Sequence, residues 1–213
     1  MGTINNGVNG GFSGKAGSVI GSSWNGIDYI KGLYKKRNKP ATEDQLIQQA
    51  RFKLAISFLR PIAKLLYFTF KAFSKSKKSG VNVALQHLLL KAIKGVYPNF
   101  EIDLPKVMIS DGALAEAACV ATAIEGFQIQ LAWDNDTNSY NADGTDQVNV
   151  LMYDPERNFF KTFSDVATRL EGEKTIRLTP SMVGKTVHLY VFLKSRNNKY
   201  SPSYYAGEVV ILA

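Results

Sequence analysis

The run TEDQLIQQARFKLAISFLRPIAKLLYFTFKAF, residues 42–73, constrains the fold most, because its apolar residues recur with a helical period over a span too long for any strand. Ile47, Leu54, Phe58, Ile62 and Leu65 make one apolar stripe, with Arg51, Lys64 and Lys71 off it. Thr42 starts the helix as an N-cap: its hydroxyl can accept from the free N–H of Gln45 while the Gln45 side chain reaches back. Glu43 and Asp44 add negative charge at the positive helix end. Pro61 has no N–H for the carbonyl of Ser57, so one long helix with a bend is expected. Arg60, Lys64 and Lys71 interrupt the run too often for a membrane-spanning helix. A packed core helix is expected ahead of one lying on a membrane surface.

A second helix is expected from about Asn82 to Lys94, with Leu85, Leu88, Leu89, Ala92 and Ile93 on one face and Gly95 and Pro98 ending it. The two helices form a helical hairpin. His87 lies beside the apolar face with no carboxylate, cysteine or second histidine near it in sequence, which suits a packed or surface histidine better than a metal ligand.

Ahead of the helices, glycine and asparagine crowd the chain before Phe12 and exclude a helix, so this part is expected to be a loop that threads or wraps. Gly17 to Trp24, then Asn25-Gly26, then Ile27 to Ile30 read as a β-hairpin, because Asn-Gly takes the positive φ angles of a type I′ turn. Two strands alone are marginal in water. The hairpin must therefore pack on the long helix, on the second half of the chain or on another copy, with Val19, Ile20, Trp24, Tyr29 and Ile30 as the candidate contacts. Gly10-Gly11-Phe12-Ser13-Gly14-Lys15 falls short of a phosphate-binding loop: Asn9 stands where the first glycine belongs, and Ala16 where Ser or Thr would hold a metal.

From about Glu101 the pattern becomes alternating. Phe127, Ile129, Leu131 and Trp133 share one face of a strand; Gln147 to Tyr153, Lys174 to Leu178, Thr186 to Leu193 and Gly207 to Leu212 follow, separated by turn signals. Short strands in this arrangement argue for an all-β sandwich. The expected fold class is α+β: residues 1–100 as a basic Gly-rich arm, hairpin and two helices, then residues 101–213 as the sandwich.

Two resemblances follow from these residues. Ile4, Asn6-Gly7, Gly10-Gly11-Phe12-Ser13-Gly14-Lys15, Gly17, Val19 and Gly21, then Trp24 and Gly26, a basic stretch, Thr42 and Gln45, and Arg51-Phe52 resemble an uncharacterised family of small Bacteroidota proteins. That resemblance implies a lineage and a two-part layout, and carries no activity, cofactor or catalytic residue. The basic strand followed by the Gln and Arg-Phe helix is also similar, more loosely, to small proteins of phages and integrated elements. In the second half, Ile129-x-Leu131-x-Trp133, Val148-x-Val150-x-x-Tyr153, Leu178-x-Pro180, the Tyr190 strand and Ser201-x-Ser203 resemble a fibronectin type III-like (immunoglobulin-like) module in their order. The proline-rich start of the first strand is missing, and a long loop follows Trp133. The resemblance implies a spacer, a display surface or a binding domain, since the fold alone identifies no function.

Charge divides the chain more sharply than its net +8 suggests: residues 1–100 carry 16 Lys and Arg against 3 Asp and Glu, and residues 101–213 carry 10 against 15. Such a dipole suits a basic arm meeting a polyanion, or the basic half of one copy meeting the acidic half of the next. Lys15, Lys31, Lys35, Lys36, Arg37, Lys39, Lys75, Lys77 and Lys78 are the candidate contacts, with Tyr34 or Trp24 available for stacking on bases. The ordinary alternative is a set of solvated connectors.

No catalytic set emerges. Cys119 is the one cysteine, so there is no internal disulfide, and it could act as a nucleophile only beside a histidine such as His188. Asp154 with Glu156, and Glu171 with Glu173, read as solvated acids on turns. Asp134, Asp136 and Asn138 imitate the start of a calcium loop, but Ser139 and Thr145 replace its glycine and its bidentate glutamate. No metal or cofactor is expected. The first residues show neither a basic leader nor an apolar run, and Asn6 stands where a myristoylation signal needs Ser or Thr. The expectation is a non-enzymatic structural or assembly protein, cytoplasmic or particle-associated and of phage or mobile-element origin. Nucleic-acid binding through the basic half is the alternative.

Overall fold

The structure, a computed structural model, describes residues 3–4, 11–24, 26–35, 39–76 and 78–213, without the side chains of residues 4 and 74–76. Asn25, Lys36, Arg37 and Lys77 lie outside the described residues, as does the side chain of Lys75. The chain divides into two compact units, Met1–Glu43 and Asp44–Ala213.

The first unit is an antiparallel sheet in chain order: β1 (Thr3–Ile4), β2 (Phe12–Ala16), β3 (Val19–Trp24) and β4 (Ile27–Gly32). The expected hairpin is β3 and β4, with Trp24 opposite Ile27 and Gly26 at φ +77° in the turn. The run expected as a loop contains β2 instead, joined to β3 at Ala16 and Val19 through a turn whose Gly17 has φ +59°. That fits a type II′ turn, which asks for glycine at its first central position. Glycine is depleted in strands, which hid β2 from a propensity reading. Here it is required, since a Cβ on Gly21 would collide with the carbonyl of Phe12.

The second unit begins with α1 (Glu43–Leu59), which starts directly after Thr42. A turn of 3-10 helix at Arg60–Ile62 carries Pro61 and leads into α2 (Ala63–Thr69). The bend thus falls where the proline removes a hydrogen bond. α3 (Gly80–Lys91) starts two residues earlier than expected, because the Ser79 hydroxyl caps it by accepting from the N–H of Asn82 at 3.3 Å. It also stops short of Lys94, where the chain turns into a small hairpin of β5 (Ile93–Val96) and β6 (Asn99–Ile102). Gly95, at φ +92°, takes a conformation that a helix does not accept.

Seven further strands build the sandwich: β7 (Cys119–Ile124), β8 (Gln128–Trp133), β9 (Gln147–Asp154), β10 (Phe159–Thr168), β11 (Glu173–Arg177), β12 (Thr186–Lys194) and β13 (Tyr204–Val210). One sheet has the order β10-β9-β12-β13 and the other β11-β8-β7, all antiparallel. This is a fibronectin III-like sandwich of the immunoglobulin kind, with β10 placed beside β9. Between the sheets, Ile129, Leu131 and Trp133 face Val148, Val150, Met152, Val187, Leu189 and Val191.

The helices cover the outer side of the four-stranded sheet. Ala55, Phe58, Leu59, Ile62, Leu66 and Phe70 join Ala84 and Leu88 of α3 in one core with Leu151, Tyr153, Tyr190 and Phe192. Arg51 donates to the carbonyl of Leu89 at 2.7 Å, and the Thr69 hydroxyl to that of Ile109 at 2.7 Å. A division at residue 100 would therefore run through a shared core. The helical hairpin cannot bury its stripe alone and uses the sheet to do so.

Candidate functional site

The basic first unit is where the candidate contact residues converge. Strand register places Lys15, Ile20, Ser22, Trp24, Ile27, Tyr29 and Lys31 on one face of the sheet, and Gly14, Val19, Gly21, Asp28 and Ile30 on the other. Lys15 and Lys31 both stand opposite Ile20, one on each neighbouring strand, so their backbones lie about 10 Å apart, two strand spacings. The Lys31 ammonium sits 6.0 Å from the centre of the Tyr29 ring, within reach of a cation–π attraction. The first face is thus aromatic and cationic, and the second sets glycines beside Val19 and Ile30, with Asp28 as its acid.

None of this unit's described residues belongs to either hydrophobic core, and only Gly21 among them is buried. Every residue of β4 is exposed, with Ile30 64% and Tyr29 43% accessible, and Trp24 on β3 is 49% accessible. Val19 and Ile20 are half-buried. The unit carries six Lys and Arg against two acids. Lys35 and Lys39 are exposed beyond β4, while Lys78 belongs to the second unit and donates to the Gln86 side chain at 3.4 Å. Phe12, Ile27 and Leu33 were missed as members of this surface. The period-two pattern through Phe12-Ser-Gly-Lys-Ala and Ile27-Asp-Tyr-Ile-Lys carried the signal for the first two.

Elsewhere the structure accounts for the residues singled out for chemistry. Cys119 is 2% exposed among the residues between the two sheets, and burial pushes its thiol up to about 12. His188 lies on the outer side of β12, where its Nδ1 meets the Tyr205 hydroxyl at 2.8 Å. Because β12 alternates its side chains, thiol and imidazole are on opposite sides of the sheet. Burial lowers the pKa of His188, and burial also leads the lowering at His87, ahead of nearby Lys91.

Asp154, expected as a solvated acid on a turn, instead ends β9 and is fully buried beside a cavity of about 470 Å³, because its carboxylate accepts from the N–H groups of Glu156 and Arg157 at 3.0 and 3.4 Å and faces Lys185 at 3.5 Å. Glu171 closes a capping box with Thr168. Those hydrogen bonds hold the Glu171 carboxyl below its usual range. Asp134 and Asp136 accept from the N–H groups of Asp136 and Asn138 at 3.0 and 2.8 Å, shaping their own loop. Among the described residues, no three His, Cys, Asp or Glu side chains gather as a metal site would, and no helix is long and apolar enough to cross a membrane.

A small basic sheet whose described residues build no core, followed by a fibronectin III-like sandwich backed by helices, defines a two-unit α+β protein. The chain belongs to the DUF6266 family, a family of unknown function, whose profile matches residues 11–207. Among solved structures, the FN5 domain of Drosophila Lar is similar at 14% identity and a TM-score of 0.34, over 47% of this chain and 99% of that one. No curated protein matches the chain in sequence.

Proposed function

We propose that the protein is a non-enzymatic structural or assembly component whose N-terminal sheet docks on neighbouring copies or on a larger particle while the sandwich is displayed. The observation that carries this reading is a folded sheet of four strands whose described side chains build no core. A sheet gains stability by burying one face, and this one leaves Trp24, Ile27, Tyr29 and Ile30 in water. The charge dipole adds a long-range attraction between the basic part of one copy and the acidic part of the next. Residence in the cytoplasm or on a particle, and origin in a Bacteroidota genome or an integrated phage element, complete the proposal on the strength of the N-terminal resemblance. Light scattering after gel filtration of the full chain, over a series of protein and salt concentrations, tests it. Association that weakens with salt supports the reading, and a monomer at high protein and low salt refutes it.

A second reading has an observation of its own: Lys15 and Lys31 share a sheet face with Trp24 and Tyr29, so cations and stacking rings lie side by side. Single-stranded nucleic acid is bound by that combination, with strong salt dependence and little regard to sequence. Neutralising Lys15, Lys31, Lys35 and Lys39 should weaken binding to every sequence alike and flatten its dependence on salt. An unchanged salt slope would sink this reading.

A further inference from the structure

We propose that two copies of the chain join edge to edge through β4, antiparallel about a two-fold axis at Ile30, to make one continuous eight-stranded sheet. This rests on the assembly reading above and specifies its contact. β4 ends the sheet, and nothing among the described residues pairs with its outer side. The N–H of Leu33 donates to Ser18 at 3.2 Å, and Trp24 faces Ile27 across a two-residue turn. Backbone groups alternate in direction along a strand, so Ile27, Tyr29, Lys31 and Leu33 are turned toward β3. Asp28, Ile30 and Gly32 therefore point their N–H and C=O groups out of the sheet. An open edge of this kind is a template for another strand.

The residues of β4 select both the occupant and the register. In antiparallel pairing, outward-turned residues must meet outward-turned residues, so a two-fold axis can pass only through a residue position. An axis at Asp28 would oppose two aspartates, and one at Lys31 two lysines, both destabilising. An axis at Tyr29 pairs only residues 27 to 31. The axis at Ile30 pairs the whole run from Ile27 to Leu33 with no like charges facing. It sets Ile30 against Ile30 of the second copy, Asp28 against Gly32, Ile27 against Leu33, and Tyr29 against Lys31. The last pair repeats between copies the cation–π contact already present within β4. A strand that satisfies itself in one register is suited to an isologous dimer.

Cysteine placement in the full chain tests the register. Residues paired across an antiparallel hydrogen-bonded site have Cα atoms about 5.5 Å apart, which a disulfide spans. Ile30→Cys should give mostly cross-linked dimer under mild oxidation. Asp28→Cys should give none, because the two positions would lie about 13 Å apart along the strands. Cys119, 2% exposed, does not compete. Ile30→Pro gives a second measurement: it removes only an outward N–H, a change that an edge strand tolerates, and should weaken association at least about tenfold with the circular dichroism unchanged. Association that persists without an Ile30 cross-link, or that survives Ile30→Pro, overturns the β4 contact and leaves the assembly reading standing. A chain that stays monomeric under all conditions overturns both.

Discussion

Asp146→Asn should cost the second unit about 3 kcal/mol of stability, because it leaves a guanidinium buried without its counter-charge. Asp146 and Arg169 are each 2% exposed at the side chain, with the Arg169 Nε 3.4 Å from a carboxylate oxygen. The rest of the guanidinium is held by a 2.6 Å hydrogen bond to the carbonyl of Ala115, and the Arg169 carbonyl accepts from the Trp133 indole at 2.9 Å. Breaking a buried pair from one side costs about 3–5 kcal/mol. The lower figure applies here, since the Nε of Arg169 meets no hydrogen-bond partner in good geometry. Asparagine keeps the volume and can still accept from the N–H of Asp143, which lies 3.0 Å from the Asp146 carboxylate. Urea unfolding followed by Trp133 fluorescence in a Trp24→Phe background reads the loss. With a slope of about 2 kcal/mol per molar, the midpoint should fall by about 1.5 M. The double change with Arg169→Met should recover part of that fall, because both charges are then gone. A loss under about 1 kcal/mol, the scale of a surface pair, would refute the reasoning.

Gly80→Ala should destabilise the helix layer by about 1–3 kcal/mol despite alanine's better helix propensity, since the added Cβ would strike the carbonyl of Leu66 and crowd Phe70 at 3.1 Å. An unchanged melting temperature would count against that packing. Burial holds His188 and His87 below their ordinary value of 6.5, so the unfolded chain binds more protons at mildly acid pH. The stability they contribute is present above 6.5 and is lost as pH falls through the lowered pKa values. Urea midpoints at pH 7.5 and 5.5 should therefore differ, and His188→Gln should reduce the difference; equal slopes in both proteins would contradict the assignment. Cys119, its thiol pushed up to about 12, should resist thiol reagents at pH 8 until urea unfolds the chain, and fast labelling of the native protein would show the sandwich core to be open.

Much of the architecture could be read from residue spacing. Pro61 marks the break between α1 and α2, and Ile129, Leu131 and Trp133 line the inner face of β8 as their alternation predicts, whereas Phe127, expected on the same face, sits at φ +61° just before the strand. The helix stripe was only half right: Ile47 and Leu54 are partly exposed, whereas Ala55, Leu59, Leu66 and Phe70 lie in the core. Small and late residues of a run carry little weight in a periodicity reading, although a sheet packs against them equally well. Within the sandwich, two strands escaped notice for physical reasons. β7 is rich in alanine, and β10 is interrupted where its register with β9 shifts between Phe163 and Ala167. There Asp165, at φ +51°, donates its N–H to the side chain of buried Asn149 at 3.2 Å.

The covering of the outer sheet face had a signal that alternation alone does not use. Val-His-Leu-Tyr-Val-Phe-Leu in β12 and Val-Leu-Met-Tyr in β9 are nearly continuous apolar runs, the mark of strands buried on both faces. In the first unit, the lysines and aromatic residues were visible one by one. The β3–β4 hairpin gathers Trp24, Tyr29 and Lys31, but the place of Lys15 beside them depends on the register of β2 with β3, which the glycines obscured.

Hydrogen exchange by mass spectrometry, on the full chain at protein concentrations that span its association, tests most directly whether the N-terminal sheet is the assembly element. Slowed exchange should appear with association in peptides covering residues 12–33, above all at the outward amides of Asp28, Ile30 and Gly32, while the sandwich and helices keep the exchange of the dilute protein. Association whose protection falls only within residues 44–213, with β4 exchanging as freely as before, would contradict the account.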